Sequence, residues 1–358
     1  MEFLETGHPR LILDEFRCKR NIHRMASKAN QHNLLFRPHF KTHQSLAIGS
    51  WFKEAGVNAI TVSSVDMASY FASDGWNDIT IAFPFYKGQI SALQKLEVTT
   101  QLRLFVHTKD QISLLSKNLK KPFHVIIEID PGYGRSGVHY TDTAQINEII
   151  KECQTNSLTL FDGFYIHDGR TYQSRSKKEI LDNIQPVINI LKSLKNLHPS
   201  ALCIMGDTPS CSVLDDFEHV DAITPGNFVF YDWMQVCIGS CRIDDVALFC
   251  QVPIAQHNKN VNKLILHGGA VHLSKDSISM NGVLTYGQAI HYDNRQIESI
   301  DDIFISSLSQ EHGIATGNVN NIQDEFLWIC PIHSCLTANL HSHYITTSGK
   351  IIEKRILS

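Results

Sequence analysis

Arg103–Asp130, RLFVHTKDQISLLSKNLKKPFHVIIEID, decides the fold class. RLFVH (103–107) is a short apolar run. Thr108 follows as a helix N-cap, and Ile112, Leu115 and Leu119 recur on one stripe of 108–120. FHVIIEID (123–130) is a second apolar run with little alternation, which suits a strand buried on both faces. Strand, amphipathic helix and buried strand make one βαβ unit of a parallel sheet.

The unit repeats in both directions. Apolar runs lie at 34–41, 59–64, 78–85 and 103–107, then at 123–130, 160–167, 201–206 and 221–227. Between them, 176–197 carries Ile180, Ile184, Val187, Ile188 and Leu191 at helical spacing. Eight strands alternating with helices predict an α/β fold, a (β/α)8 TIM barrel. An open doubly wound sheet has the same rhythm, because periodicity does not show closure. Beyond about residue 235 the rhythm changes. Strand-like runs at 246–256, 263–269, 284–290, 303–310, 325–332 and 343–357 have no long helical stripe between them. Thr346–Lys350 reads as the turn of a closing hairpin. The expected domains are a barrel over 14–235 and a mainly β C-terminal domain over 236–358. The strand near 9–13 and the rest of 1–13 are grouped with the latter.

Composition bounds the function. Among 358 residues, 32 Lys and Arg face 36 Asp and Glu, a formal charge of −4, so no global attraction to nucleic acid or anionic membrane is expected. There is no long charge-free apolar run and no secretory pattern at the N-terminus. Nine cysteines without framework spacing point to reduced thiols and a cytoplasmic protein.

In a barrel, reactive groups belong at the C-terminal strand ends. Lys41 closes the first barrel strand in RPHFKTH (37–43). A lysine there is either solvated or used, for instance as a Schiff-base amine. GDTPS (206–210) follows the seventh strand and PGN (225–227) the eighth, the usual place for a phosphate in such barrels. Each alone is equally an ordinary turn. Together with Lys41 they suggest pyridoxal 5′-phosphate, whose carbonyl needs an amine and whose phosphate needs an anion nest. IDPGYGRSG (129–137) implies a tight turn presenting Arg135, placed to face a pyridine nitrogen or solvent. Tyr165 and His167 share one face at the sixth strand's end, with Tyr172 just beyond, to flank a ring or to pack as aromatics. In PIHSC (331–335), His333 and Cys335 lie on one side of an extended strand, a donor pair suited to zinc or a packed Cys beside a His. His267-Gly-Gly and Gln310-Glu-His312-Gly313 are further polar strand ends.

RPHFKTH, IDPGYGRSGV, GFYIHDGRTY, GDTPSCS, PGNFVFYD, QEHG and PIHSC, in this order, resemble the D-serine dehydratase and D-threonine aldolase family, pyridoxal-phosphate enzymes of the alanine-racemase-like fold. The resemblance implies that Lys41 carries the cofactor and that Tyr165, Tyr172, Thr208, Gly226 and Asn227 bind it, with Arg135 near its pyridine nitrogen. It implies that His333 and Cys335 hold Zn2+, and that the protein is a homodimer acting on a small D-amino acid. The expected activity is D-serine dehydratase: Lys41 takes the Cα proton, the metal assists loss of the β-hydroxyl, and a 2-keto acid and ammonia leave. Metal-dependent D-threonine aldolase is the alternative, followed by an amino-acid racemase and a non-catalytic pyridoxal-phosphate carrier. The thiolate ligand favours the dehydratase, and the residues beyond the barrel argue against a carrier. Leu336 stands where the dehydratase pattern has proline. Asp168 and Arg170 stand where it has small neutral residues, which leaves a bulkier or charged D-3-hydroxy amino acid as substrate.

Overall fold

The computed structural model describes residues 7–280, 282–293 and 295–356. The chain divides into two compact units, one formed by 23–226 and the other by 1–22 with 227–358.

Strand β1 (Arg10–Leu13) and helix α1 (Glu15–Gln31) come first. The strands of the 23–226 unit are β2 (Leu35–Phe36), β3 (Ile60–Val62), β4 (Asp78–Pro84), β5 (Gln101–Val106) and β6 (Phe123–Asp130), then the short β7 (Val138–His139), β8 (Thr159–Ile166), β9 (Leu202–Met205) and β10 (Ala222–Ile223). Eight run in the order β2-β10-β9-β8-β6-β5-β4-β3, every neighbouring pair parallel, with β7 an appendage of β6. A parallel bridge between His39 and Thr61 joins the two ends, with Phe40 N donating to Thr61 O at 2.8 Å and Thr61 N to Pro38 O at 2.9 Å. The sheet is therefore a nearly closed TIM-type barrel, not an open sheet.

The reasons lie in the residues. Ile79, Ile81, Leu104, Val125, Ile127 and Phe164 are buried along their strands, because strands between an inner filling and an outer helix layer meet water on neither face. Thr108 caps the helix Lys109–Asn118 by accepting Gln111 N at 3.3 Å, and Ile112, Leu115 and Leu119 are buried on its inner side. The long helix Lys177–Leu197 buries Ile180, Ile184, Val187 and Leu191, whereas Ile188 lies at the margin of the stripe, only partly covered. The opposite end of the barrel is closed by charge. Arg37 and Arg103 both bind Asp78, Arg103 Nε reaches Asp162 at 2.7 Å, and His124 Nδ1 lies 2.5 Å from the other oxygen of Asp162.

The other unit is built on β11 (Leu248–Asn258), β12 (Lys263–His267), β13 (Ile278–Met280), β14 (Val283–Thr285), β15 (Gly287–Asp293), β16 (Gln296–Leu308), β17 (His312–Thr316), β18 (Phe326–Pro331), β19 (His343–Thr346) and β20 (Ile351–Glu353). Its main sheet runs β12-β17-β16-β15-β18-β11-β1-β19-β20, and β12 also pairs with β11, so six antiparallel strands close on themselves. β1 joins this sheet, antiparallel to β11 and parallel to β19. Among the described residues no helix is long and apolar enough to cross a membrane.

Candidate active site

The strand expected over 34–41 is assigned only at Leu35–Phe36, and Lys41 lies beyond it, the one exposed residue of an otherwise buried turn over 40–43. The ladder itself continues. Leu35 N, Arg37 N and His39 N donate to the carbonyls of Asp221, Ile223 and Pro225 at 2.9, 3.0 and 2.9 Å. Pro38 and Pro225 have no N–H to return, which cuts the regular pattern short. The turn is held locally, with Lys41 N donating to His39 Nδ1 at 3.4 Å and Gln44 Nε2 to Lys41 O at 3.2 Å.

Around that lysine the barrel gathers the other candidates. Burial holds the pKa of His39 well below its ordinary value, and the charges of Lys41, Arg135 and a protonated His167 add to the effect. His167 follows β8 and donates Nδ1 to Gly206 O, which leaves Nε2 as an acceptor. Burial, helped by Arg135 and Lys41, lowers its pKa to about 4, so the ring is neutral near pH 7. Tyr165, two residues earlier, accepts the Thr224 hydroxyl at 3.4 Å, and burial pushes its phenol up to about 12. Gly206 is crowded by these groups. A Cβ there would lie 2.3 Å from both Thr224 Oγ1 and Tyr165 Oη, so no larger residue fits. At Gly226 a Cβ would lie 2.9 Å from His39 O and 3.0 Å from Thr42 Oγ1.

Past Gly206, Asp207 caps the short helix Thr208–Val213 and accepts Ser210 N at 2.7 Å. Thr208 is fully buried, and its N–H donates to Tyr172 Oη at 3.3 Å. Ser210 Oγ is buried, and no group among the described residues meets it with full hydrogen-bond geometry. An exposed amine and two glycine loops, one of them carrying the buried hydroxyls of Thr208 and Ser210, fit a cofactor with a carbonyl and a phosphate. Asp130 Oδ1 accepts the N–H groups of Gly132, Tyr133 and Gly134 at 3.0, 2.8 and 3.0 Å, which folds the turn that carries Arg135. Arg135 is half exposed, 3.7 Å from Glu128, which also accepts Ser136 Oγ at 2.8 Å. Asp168, which is buried, binds Arg170 through Nε at 2.9 Å, and Arg170 Nη2 lies 3.4 Å from Pro131 O.

The metal motif belongs to the other unit and departs from the expected geometry. β18 ends at Pro331, and His333 is the N-cap of a short helix, Ser334–Asn339, so the pair does not lie on an extended strand. His333 Nδ1 is 2.9 Å from Asp276 Oδ2. Burial opposes charge on this imidazole, but hydrogen bonds to Asp276 and Cys335 outweigh it and hold its pKa well above the ordinary value. Asn227 turns its amide toward this motif. Nδ2 donates to Asp232 at 2.6 Å and Ser334 Oγ at 3.0 Å, and lies 3.7 Å from Cys335 Sγ. Among the described residues no three His, Cys, Asp or Glu side chains converge as a metal cage. The donors present are one imidazole with Nδ1 engaged, leaving Nε2, and one thiol. That soft pair fits zinc at an open site.

His39, Asp207, Ser210 and Asp276 were not among the expected site residues. The first three lie inside the quoted motifs, where glycine and lysine drew the reading. Asp276 has no local signal.

A parallel barrel with an amine at its C-terminal rim, joined in sequence to an antiparallel β unit, defines the alanine-racemase-like class. The family model described as "Alanine racemase, N-terminal domain" matches residues 13–232, and one described as "Putative serine dehydratase domain" matches residues 247–347. The chain belongs to the first family, and the resemblance expected from its motifs holds. It is similar to a D-serine dehydratase from Dictyostelium discoideum, 26% identical over 96% of this chain and 94% of that protein. It is also similar to a D-threo-3-hydroxyaspartate dehydratase from Delftia sp. (strain HT23), 27% identical over 93% and 92%. The solved structure of the Delftia protein superposes with a TM-score of 0.86 at 24% identity, covering 98% of each chain. The chain is an enzyme of the lyase class.

Proposed function

We propose that this enzyme is a pyridoxal-5′-phosphate- and zinc-dependent D-serine dehydratase, acting on a D-3-hydroxy amino acid to give a 2-keto acid and ammonia. The cofactor domain is assigned to 14–235 and the metal-bearing β domain to 236–358 with 1–13. A cytoplasmic homodimer with its nine cysteines as reduced thiols completes the reading.

The observation that carries the proposal is the exposed Lys41 among Arg135, the buried His39 and the half-buried His167, with glycine-backed loops after the seventh and eighth strands. Pyridoxal phosphate, when bound, supplies the electron sink that makes a Cα proton acidic. Lys41 would hold its carbonyl, and the same amine is the base for the Cα proton. Neutral His167 presents an unprotonated Nε2, and Thr208 with the Gly206 and Gly226 loops would hold the phosphate. Tyr165, Tyr172 and Asn227 complete the assigned cofactor residues. Arg135 near a ring nitrogen would keep that nitrogen unprotonated. Zinc, when bound, supplies Lewis acidity toward a hydroxyl leaving group. His333 and Cys335 would be its protein ligands, and a thiolate suits zinc better than the harder metals that favour oxygen donors. One solved structure of a D-threo-3-hydroxyaspartate dehydratase, a cysteine-to-alanine mutant, is described as metal-free, which supports a metal in that relative.

Arg170, held by Asp168 beside the Pro131 carbonyl, favours a second reading in which the substrate has an acidic side chain, as in the Delftia relative's name.

The test is pyruvate and ammonia release from D-serine, with and without a chelator, alongside the visible spectrum. The proposal expects cofactor absorbance that is lost in Lys41→Ala, and turnover that stops without metal. Glycine and acetaldehyde from D-threonine, with no pyruvate from D-serine, would replace it with the aldolase. Turnover of D-threo-3-hydroxyaspartate alone would move it to the second reading.

A further inference from the structure

His333 and Asp276 come together through bends remote from the metal motif. Leu273 ends the short helix Ala270–Leu273, and its carbonyl accepts the Thr337 hydroxyl at 2.9 Å, from the helix that carries Cys335. Both residues are buried. His341 Nε2 makes a second tie of 3.0 Å to His272 O. The chain then turns at Ser274, whose φ of 68° and ψ of 172° lie where L-residues rarely go. Such a conformation is strained and persists only where its surroundings enforce it. The Ser274 hydroxyl accepts Asp276 N at 3.3 Å, and the Asp276 carboxylate arrives 2.9 Å from His333 Nδ1.

The chemistry of that contact is directional. A carboxylate oxygen accepts, so Nδ1 carries a proton and Nε2 is the nitrogen left to a metal, which would displace its proton on binding. The ring is also held against rotation. We infer that Asp276 is a positioning residue: it fixes the tautomer and orientation in which His333 presents Nε2, beside Cys335, to zinc. The inference rests on the reading of His333 and Cys335 as metal ligands. It adds the carboxylate that makes an imidazole a committed ligand.

The experiment measures zinc affinity of the full-length protein by competition with a chromophoric chelator. Wild type is compared with Asp276→Asn, Asp276→Ala and His333→Ala, and cofactor uptake and thermal melting are followed in parallel. Asp276→Ala is expected to bind zinc about 10–100-fold more weakly, as outer carboxylates of metal-bound histidines usually do. Asp276→Asn still accepts from Nδ1 and should recover part of the loss. Cobalt in place of zinc should show a thiolate charge-transfer band in wild type, altered in Asp276→Ala, while cofactor uptake stays at the wild-type level. Zinc affinity and cobalt spectrum unchanged in both Asp276 variants would overturn the inference. So would loss of cofactor uptake and melting temperature in step with zinc in both variants, which is a purely structural role. Wild type that binds no zinc, or His333→Ala that binds it normally, overturns the metal reading itself and the inference with it.

Discussion

Asp207→Asn should stabilise the protein at alkaline pH and progressively less at acid pH. The carboxyl is buried, and burial pushes its pKa from 3.8 up to about 6, with the Asp168 charge adding and hydrogen bonds from Ser210 and Thr171 opposing. Because the folded value lies above the ordinary one, the folded protein binds a proton through this window that the unfolded chain releases. The charge therefore costs stability in full above pH 6 and is relieved as pH falls toward 4. A shift of about two units corresponds to roughly 3 kcal/mol at about 1.4 kcal/mol per unit. By pH 5 roughly half of that cost remains. Asparagine caps a helix about as well as aspartate, so the bond from Ser210 N survives. Oδ2 has no partner of full hydrogen-bond geometry among the described residues, so an amide nitrogen there exchanges one poorly satisfied group for another. At about 2–4 °C per kcal/mol for a unit of this size, melting should rise by about 6–12 °C at pH 8 and about half as much at pH 5. Differential scanning calorimetry at the two pH values decides it. A fall in melting temperature of similar size at both would refute the reasoning, since it would mean Asp207 stabilises through contacts and not at the expense of a buried charge.

Asp78→Asn should cost about 3–5 kcal/mol, because it leaves the buried Arg37 guanidinium and Arg103 without their shared partner; a urea midpoint within error of wild type would contradict this. His167 and His341 are held to about 4 by burial, below the ordinary 6.5, so the unfolded chain binds more protons and stability should fall as pH drops from 6.5 toward 4. His341→Gln should flatten that decline in melting curves, and an unchanged slope would count against it. Gly206→Ala must displace Thr224 or Tyr165, and the expected result is soluble protein with impaired pyridoxal-phosphate uptake by absorbance, or none soluble; normal uptake would show that the loop relaxes freely.

The eight barrel strands were legible because strands covered on both faces read as unbroken apolar runs, as in FHVIIEID, and the helices because Thr108 and the Ile112 stripe mark them. Closure was not legible. It depends on the bridge from His39 to Thr61, formed after Pro38 has interrupted the ladder, and no periodicity records that. In the β unit the signal weakens where faces are solvated. β16 begins at Gln296, well before the expected 303, because its exposed Glu298, Asp301 and Asp302 hide the strand pattern. β17 (HGIAT) was missed because Gly313, packed against Gly268, reads as a turn. The candidate site divides along the same line. Lys41, Gly206, Gly226, His333 and Cys335 stand out because their residue types are unusual at strand ends. Their partners carry no such mark. Asp207 reads as an ordinary cap, and Asp276 as a loop residue, until Ser274 bends the chain and Thr337 fastens it. Local sequence therefore shows which groups can do chemistry, while the groups that set their charge and orientation are supplied by tertiary contacts. Substitutions at Asp207 and Asp276 consequently test the fold's contribution to the site more directly than substitutions at the residues the motifs display.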